Sequence, residues 1–312
     1  MKPGTARMPR WWIYQKERFP IFAHGMLVMA FSSSAVCFSH LLRGQATWPA
    51  WPSLFVAFVT CLLFFLGLRI ADEFKDYEED LQFRPYRPVP RGLVALRELG
   101  WVGAGAAVVQ LVLALWLTPY LIIALCAGWL YLALMSREFF AREWLKARPV
   151  TYLWTHMFIM PIVDFYATAC DWVPAGLKTP PAGLPWFLAA SLFNGVVIEI
   201  GRKIRAPEDE EHGVRTYSVL WGRSCAVAAW LGMMLLTAVC ASLAAAKIGF
   251  AIPVGIMTGI VALISIFAAV LFLRDPRQGS GKRFEMLAGI WTLVLYLSLG
   301  LIPLCWQLFK GR

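Results

Sequence analysis

The sequence predicts an all-α, polytopic membrane protein with nine transmembrane helices. Of its 312 residues, 59% are apolar and only 15% are charged, whereas soluble domains average about 45–50% and about 25%. Nine apolar segments are long enough to cross a bilayer as helices. This composition excludes a soluble globule, a disordered chain and a nucleic-acid-binding module, so we expect a lipid bilayer, and no nucleic acid, as a partner.

Each predicted span is placed by an apolar segment of about 20 residues. Thr118-Pro119 separates the third segment from the fourth, and Lys247-Ile248 separates the seventh from the eighth. Both links are short, so both pairs are predicted to form antiparallel hairpins. The nine segments, all within one predicted domain (21–312), are 21–41, 52–71, 99–117, 118–135, 150–170, 183–201, 224–246, 249–273 and 284–309.

The first 20 residues predict a separate, basic segment on the membrane surface. They lack the apolar core and cleavage site of a signal peptide. Basic residues and tryptophans stand close together there, as in helices that lie in the membrane interface. These residues are Arg7, Arg10, Trp11, Trp12, Lys16 and Arg18.

The basic residues are distributed unevenly between the two sides of the predicted membrane. With the N-terminus inside, the inner segments hold 24 of the 29 Lys and Arg residues. The outer side keeps only Arg43, Lys178, Lys247, Lys310 and Arg312. Because cytoplasmic loops are enriched in Lys and Arg, we expect an integral protein of a bacterial cytoplasmic (inner) membrane, with its N-terminus and acidic loops on the cytoplasmic side.

A first acidic segment, residues 72–80, directly follows the second predicted span. It contains six carboxylates in nine residues. If the helix continues, Asp72, Asp76 and Asp80 share one face, with Glu73 beside them. Carboxylates that close repel each other unless a cation binds between them, and Mg²⁺ prefers a few carboxylates together with phosphate oxygens. The alternative is a solvated acidic loop, although loops on this side are normally basic.

An arginine- and proline-rich stretch, residues 83–92, comes next. Prolines stiffen it, and Arg84, Arg87 and Arg91 carry planar donor groups suited to phosphate oxygens. A loop made basic only by the positive-inside rule would explain these charges but not their position beside six acids. A metal site next to such a stretch suits a diphosphate.

A second acidic loop, residues 199–216, follows the sixth predicted span, which contains Asn194. Glu199 precedes basic residues that include Lys203, and Glu208 begins a run of four acids. Such a run is usually a solvated surface, but this loop is predicted on the same side as the first acidic segment. Two facing carboxylate clusters could hold about two or three metal ions around one diphosphate.

These motifs carry a resemblance to a known family. The pattern Asp-Glu-x-x-Asp-x-x-x-Asp over 72–80 resembles the first aspartate-rich motif of the UbiA superfamily of intramembrane prenyltransferases, which begins with Asn and Asp. The family's Arg-Pro-x-x-x-Gly stretch is matched by 87–92, and its closing Gly-x-x-Thr by 213–216. The second motif is less similar, because Glu199 replaces its leading Asp and Lys203 stands four residues later.

The resemblance implies nine helices around a central cavity that opens sideways to lipid and is capped by the two acidic loops. It also implies a prenyl diphosphate donor with its diphosphate on Mg²⁺. Together, residues and resemblance predict the metal ligands Asp72, Glu73, Asp76, Asp80, Glu199, Glu208 and Asp209. The predicted substrate-binding residues are Arg84, Arg87, Arg137, Lys146, Lys203 and Asn194, and the predicted catalytic residues are Asp76, Asp80 and Asp164.

Asp164 lies within the fifth predicted span, where an ionisable side chain is costly and therefore suggests function. It could orient or deprotonate an acceptor, or quench a cation; alternatively, it is a protonated or hydrogen-bonded structural residue. Arg137 and Lys146, in the loop before this span, could reach the diphosphate, although the positive-inside rule alone would also place them there. His156 on the same span is interpreted as structural.

The leading functional hypothesis is Mg²⁺-dependent transfer of a prenyl group to a small, aromatic acceptor within the membrane, via an allylic carbocation. A terpene cyclase of the same fold would need no acceptor, and a third kind of enzyme would move a phosphorylated sugar onto a polyprenyl phosphate. A transporter is disfavoured, because the sequence shows no inverted repeat and no matching pair of broken helices.

Overall fold

The computed structural model describes residues 9–310, and within this range every regular element is a helix, which confirms the all-α prediction. Arg7 and Arg312 lie outside the described residues. The α-helices are α1 (Arg10–Arg18), α2 (Ile21–Leu42), α3 (Trp51–Lys75), α4 (Tyr77–Phe83), α5 (Leu96–Leu117), α6 (Leu121–Ser136), α7 (Arg142–Lys146), α8 (Pro149–Met157), α9 (Ile159–Trp172), α10 (Leu184–Gly201), α11 (Tyr217–Trp221), α12 (Arg223–Ala246), α13 (Ala251–Arg274), α14 (Lys282–Leu299) and α15 (Leu301–Lys310). Short 3-10 helices cover Glu138–Phe140 and Pro207–Asp209.

Seven helical segments of the described chain are long and apolar enough to cross a membrane. They are α2, α3, α5, α10, α12, α13 and the segment Lys282–Lys310, which α14 and α15 form together. The fourth predicted span is α6, an apolar helix of only 16 residues, and the fifth is divided between α8 and α9. The predicted nine long spans are therefore found only in part.

α6 begins only at Leu121, after the Thr118-Pro119 link, which leaves it shorter than the predicted span. α6 ends at Ser136, and all three residues of Glu138–Phe140 have φ angles between 50° and 57°, in the left-handed region that L-residues rarely adopt. α8 and α9 are separated at Phe158, and Pro161 has no N–H to donate to the carbonyl of Met157. Hydropathy does not reveal the break at Phe158, because apolar residues continue through it, whereas the left-handed turn lies in a charged stretch beyond the fourth predicted span.

α9 is the central helix of the bundle. It packs against α2, α3, α6 and α10, and eleven of its fourteen residues are buried. A second core cluster, which includes Trp230, Phe284 and Trp291, joins α10, α12 and α14. A helix that is buried on all sides has no freedom to rotate, so the polar side chains of α9 are held in place by their neighbours.

α1 packs against the end of α3 and the start of α5. Tyr14 is buried among side chains of these helices, and Arg18 forms an ion pair with Glu73 at the end of α3. Trp11 and Trp12 remain exposed. α1 is thus attached to the first acidic segment, while its position in the membrane interface stays a prediction.

Candidate active site

The first acidic segment covers the end of α3 and part of α4. α3 ends at Lys75, Asp76 forms the junction, and α4 begins at Tyr77. The backbone N–H of Asp76 donates to the carbonyl of Asp72 (2.9 Å), and that of Asp80 to the carbonyl of Asp76 (2.8 Å). The helix predicted to continue through the segment is therefore interrupted, but the spacing of one turn between the carboxylates is kept.

Two carboxylates of this segment are buried and already paired with arginines. Asp80 is 2% exposed and accepts hydrogen bonds from Arg84 at 3.0 Å and from Arg87 at 2.6 Å. Glu73 is equally buried and pairs with Arg18. A buried charge that lost its partner would be strongly destabilising. Arg84 and Arg87, predicted to bind substrate, are thus brought to the acidic segment and held there by Asp80.

Asp72 and Asp76 are the less engaged carboxylates of the segment. Asp72 has only longer ion pairs, with Arg69 at 3.6 Å and Lys75 at 3.5 Å. Asp76 forms no ion pair within 4 Å with any side chain of the described range. Burial raises the pKa of Asp76 above its usual range, and Asp72 adds to this effect against the opposing charge of Lys75. A cation bound here would relieve that cost.

The carboxylates of this site are of the right type to bind Mg²⁺, but few of them lie close together. Within residues 9–310, no group of three or more His, Cys, Asp or Glu side chains is close enough to hold a metal ion. Mg²⁺ is, however, commonly bound by one or two carboxylates together with substrate phosphates and water. Asp72 and Asp76 can supply such a pair, and the phosphate oxygens of a substrate would complete the coordination.

The connection from α6 to α8 forms a second wall of the site. The buried Glu138 lies 3.2 Å from His156 and 3.5 Å from Lys75, and the Tyr152 hydroxyl donates a hydrogen bond to it at 3.3 Å. Burial acts to raise the pKa of Glu138, but His156 and Lys75 outweigh it and hold the pKa below its usual range. This group ties the connection to the end of α3.

Sequence reasoning missed Glu138 and Lys75 as members of this group. The available signal was an acid placed between Arg137 and Arg142 in a basic loop, which is too weak to predict a buried ion pair. His156 is buried and contributes to this packing, in agreement with its structural interpretation.

The predicted phosphate-binding residues of this connection differ in their engagement. Lys146 forms an ion pair with Glu79 of the first acidic segment, and Arg142 lies 3.7 Å from the same carboxylate. Arg137 is exposed and has no ion pair among the described residues. The structure therefore brings Lys146 to the acidic segment, whereas the charge of Arg137 is not paired with an acid of the described residues.

The second acidic loop lies against the first acidic segment and the α6–α8 connection. Gly213 has a φ of 77°, and a Cβ on it would lie 2.6 Å from the Phe83 ring at the end of α4. Arg215 donates a hydrogen bond to the backbone carbonyl of Lys146 at 3.3 Å. The predicted proximity of the two loops is thus seen in these contacts.

Two of the three acids predicted as metal ligands in this loop contact other groups of the protein. Glu199 is 6% exposed and lies 2.7 Å from both Arg202 and Lys203. Asp209 accepts a hydrogen bond from the backbone N–H of Gly279 at 2.7 Å. Glu208 is exposed. Their role as metal ligands stays a prediction.

Asp164 and Asn194 lie in the bundle core. The Tyr296 hydroxyl donates a hydrogen bond to Asp164 Oδ2 at 2.6 Å, and the Thr292 hydroxyl donates to Asn194 Oδ1 at 3.1 Å. Asp164 Oδ1 and Asn194 Nδ2 are buried without a hydrogen-bond partner in the described structure. Asp164 lies on α9 and its hydrogen-bond partner Tyr296 lies on α14, so it is not part of the acidic cluster at the end of α3.

The sequence and the fold resemble those of known proteins. The sequence model of the UbiA prenyltransferase family matches residues 31–293, which confirms the resemblance. No curated protein matches the chain.

Several solved structures have a similar fold. A structure of digeranylgeranylglyceryl phosphate synthase has a TM-score of 0.61 and 16% identity, and the match covers 97% of this chain and 100% of that one. A UbiA homologue from Aeropyrum pernix K1 has a TM-score of 0.67 and 15% identity, covering 88% and 96%. A UbiA homologue from Archaeoglobus fulgidus, bound to DMAPP and Mg²⁺, has a TM-score of 0.55 and 11% identity, covering 92% and 98%. At these identities the similarity establishes the fold.

Proposed function

The chain belongs to the UbiA prenyltransferase family, and from this premise we propose that it transfers a prenyl group from a prenyl diphosphate to a small, aromatic acceptor within the membrane. One observation carries the proposal. Asp72 and Asp76 lie one helical turn apart with oxygens that basic side chains leave largely free, while the other buried acids nearby are already paired. A pair of carboxylates surrounded by cations suits a metal-bound diphosphate.

The residues around this pair have distinct proposed roles. Mg²⁺, when bound, neutralises the charge that develops on the departing diphosphate. Asp72 and Asp76 hold the ion, and Glu73 and Asp80 keep the neighbouring arginines in place. The proposed contacts to the phosphate oxygens come from Arg84, Arg87, Arg137, Lys146 and Lys203.

The proposed chemistry follows from the leaving group. The allylic C–O bond breaks with its electron pair on the diphosphate, the resulting carbocation bonds to the acceptor, and the acceptor loses a proton. The Phe31 and Phe187 rings lie 5.4 Å and 5.9 Å from that of Tyr296, whose hydroxyl bonds to Asp164. Aromatic faces stabilise cations. Asp164, which lies beside these rings, is the proposed acceptor of the proton.

Product analysis tests the proposal. The purified protein is incubated with C10, C15 and C20 prenyl diphosphates and Mg²⁺, with or without a mixture of phenolic acceptors, and diphosphate release and lipid products are measured. We expect a prenylated aromatic product that needs both Mg²⁺ and acceptor. Release with a cyclic hydrocarbon or alcohol in the absence of acceptor would favour the terpene cyclase. A separate arm with a glyceryl phosphate acceptor, suggested by one similar structure, would identify a non-aromatic acceptor.

A further inference from the structure

The carboxylates of the second acidic loop are almost all engaged within the protein. Glu199 lies between two cations, and Asp209 accepts from a backbone N–H of the α13–α14 connection. Glu210 accepts a hydrogen bond from Thr216 at 2.7 Å, and Glu211 pairs with Arg205 at 2.8 Å. A metal ion would compete with these contacts for the same carboxylates, and several of the contacts position the loop itself.

Two cations stand at the start of this loop, directly after α10, and later residues of the same loop contact Phe83 and Lys146. The Lys203 ammonium lies 2.7 Å from Glu199 and 5.5 Å from the centre of the Tyr217 ring, and its side chain is one-third exposed, at 33%. The Arg202 side chain is 47% exposed and lies 2.7 Å from Glu199. With Glu199 between them, these two side chains leave one net positive charge at the end of α10.

We infer that the second acidic loop supplies fixed cations instead of a metal site. Lys203 and Arg202 bind the diphosphate directly, and the protein holds a single Mg²⁺ at Asp72 and Asp76. A lysine ammonium is a compact point charge that binds phosphate oxygens without metal. The identity of the diphosphate rests on the proposed function, but the number of metal ions is a property of the site that can be measured separately.

Counting bound Mn²⁺ tests the inference without turnover. Mn²⁺ replaces Mg²⁺, the unreactive geranyl thiolodiphosphate replaces the substrate, and the loss of the free-ion EPR signal gives the ions bound per chain. We expect one ion per chain for the unaltered protein and none for Asp76→Asn. Glu199→Gln and Asp209→Asn are expected to keep one ion, because these acids are not ligands. A count of two or more, or an ion lost in either of these two variants, would overturn the inference.

The cation role of Lys203 has its own readout. Lys203→Gln is expected to keep the bound ion and to weaken binding of the thiolodiphosphate about tenfold or more, the usual size of a lost charge-assisted hydrogen bond. Lys203→Arg serves as the matched control and should recover most of this affinity. Unchanged affinity in Lys203→Gln would contradict direct contact.

Failure of this inference is distinct from failure of the proposed function. A protein that binds two ions and forms prenylated product refutes only the inference. A protein that binds one ion but forms no product with any donor and acceptor refutes only the proposed reaction.

Discussion

At the scale of single residues, burial separates the acids of the site into two groups. Asp80 and Glu73 are 2% exposed and each is neutralised by arginine. Asp76 is only partly buried and has no such partner among the described residues. A charge left without a partner in a crowded site raises the energy of the folded protein, so its presence points to a ligand.

Asp76→Asn tests this interpretation. The amide removes the charge needed for Mg²⁺ at almost unchanged volume, so we expect diphosphate release to fall at least about 100-fold. The thermal stability of the purified protein should stay the same or rise. Glu78→Gln is the matched control, because this exposed acid belongs to the same segment and has no proposed role. Full activity in Asp76→Asn would rule out Asp76 as a ligand.

Asp164→Asn distinguishes a catalytic from a structural aspartate. If Asp164 accepts the proton of the acceptor, kcat should fall about 10²–10⁴-fold, while the KM for the prenyl diphosphate stays unchanged, because the diphosphate binds elsewhere. A structural Asp164 would instead lower the melting temperature and leave kcat in place. Tyr296→Phe removes the 2.6 Å hydrogen bond to Asp164. The change in kcat and in melting temperature of this variant shows how much the role of Asp164 depends on that hydrogen bond.

At the scale of elements, the packing of α2 against the α14–α15 junction requires a glycine. A Cβ on Gly300 would lie 2.1 Å from the backbone carbonyl oxygen of Ser34 and 2.4 Å from its Cα. These are backbone atoms of a buried helix and cannot move aside without separating the two helices. The junction is thus fixed by close backbone approach, which small residues allow between membrane helices.

Gly300→Ala should therefore destabilise the bundle by about 1–3 kcal/mol, the range for overpacking a well-packed interior. The measurement is the thermal unfolding temperature in detergent. Gly289→Ala in α14 is the matched control, since a Cβ there meets nothing within 4 Å and alanine favours a helix over glycine. Equal stability of the two variants would show that α2 and α14 do not approach this closely.

At the scale of the whole molecule, the charge distribution predicts one orientation in the membrane. Both acidic loops and the α13–α14 connection belong to the side that carries most Lys and Arg residues, and positive loops stay in the cytoplasm. The proposed site would then take its Mg²⁺ and diphosphate from the cytoplasm, as the sequence leads us to expect.

Labelling of single cysteines checks this orientation. In a cysteine-free background, Lys178→Cys should react with a membrane-impermeant maleimide in intact cells, and Gln278→Cys only after permeabilisation. Both residues are exposed, so access to the reagent depends on the side of the membrane. Labelling of Gln278→Cys in intact cells, with Lys178→Cys protected, would show the opposite orientation.

Much of the fold was predictable because hydropathy is a local property of the chain. Seven predicted spans appear as long apolar helices. The break at Phe158 was not predicted, because apolar residues continue through it. The left-handed turn of Glu138–Phe140 was not predicted either, because it lies in a charged loop where hydropathy gives no information on the backbone. The four-residue spacing of Asp72, Asp76 and Asp80 is kept, but the sequence did not show that Asp80 is already paired. The central cavity stays a prediction.

The sequence by itself determined the membrane class, the approximate spans and the residue types of the site, because composition, hydropathy and short motifs are written along the chain. Only the tertiary structure decided which acids are available. Arg18 reaches Glu73 from 55 residues away, and Gly279 reaches Asp209 from 70. The partner of a charged side chain is set by the packing of distant helices, and that partner decides whether a carboxylate is free to bind a metal ion.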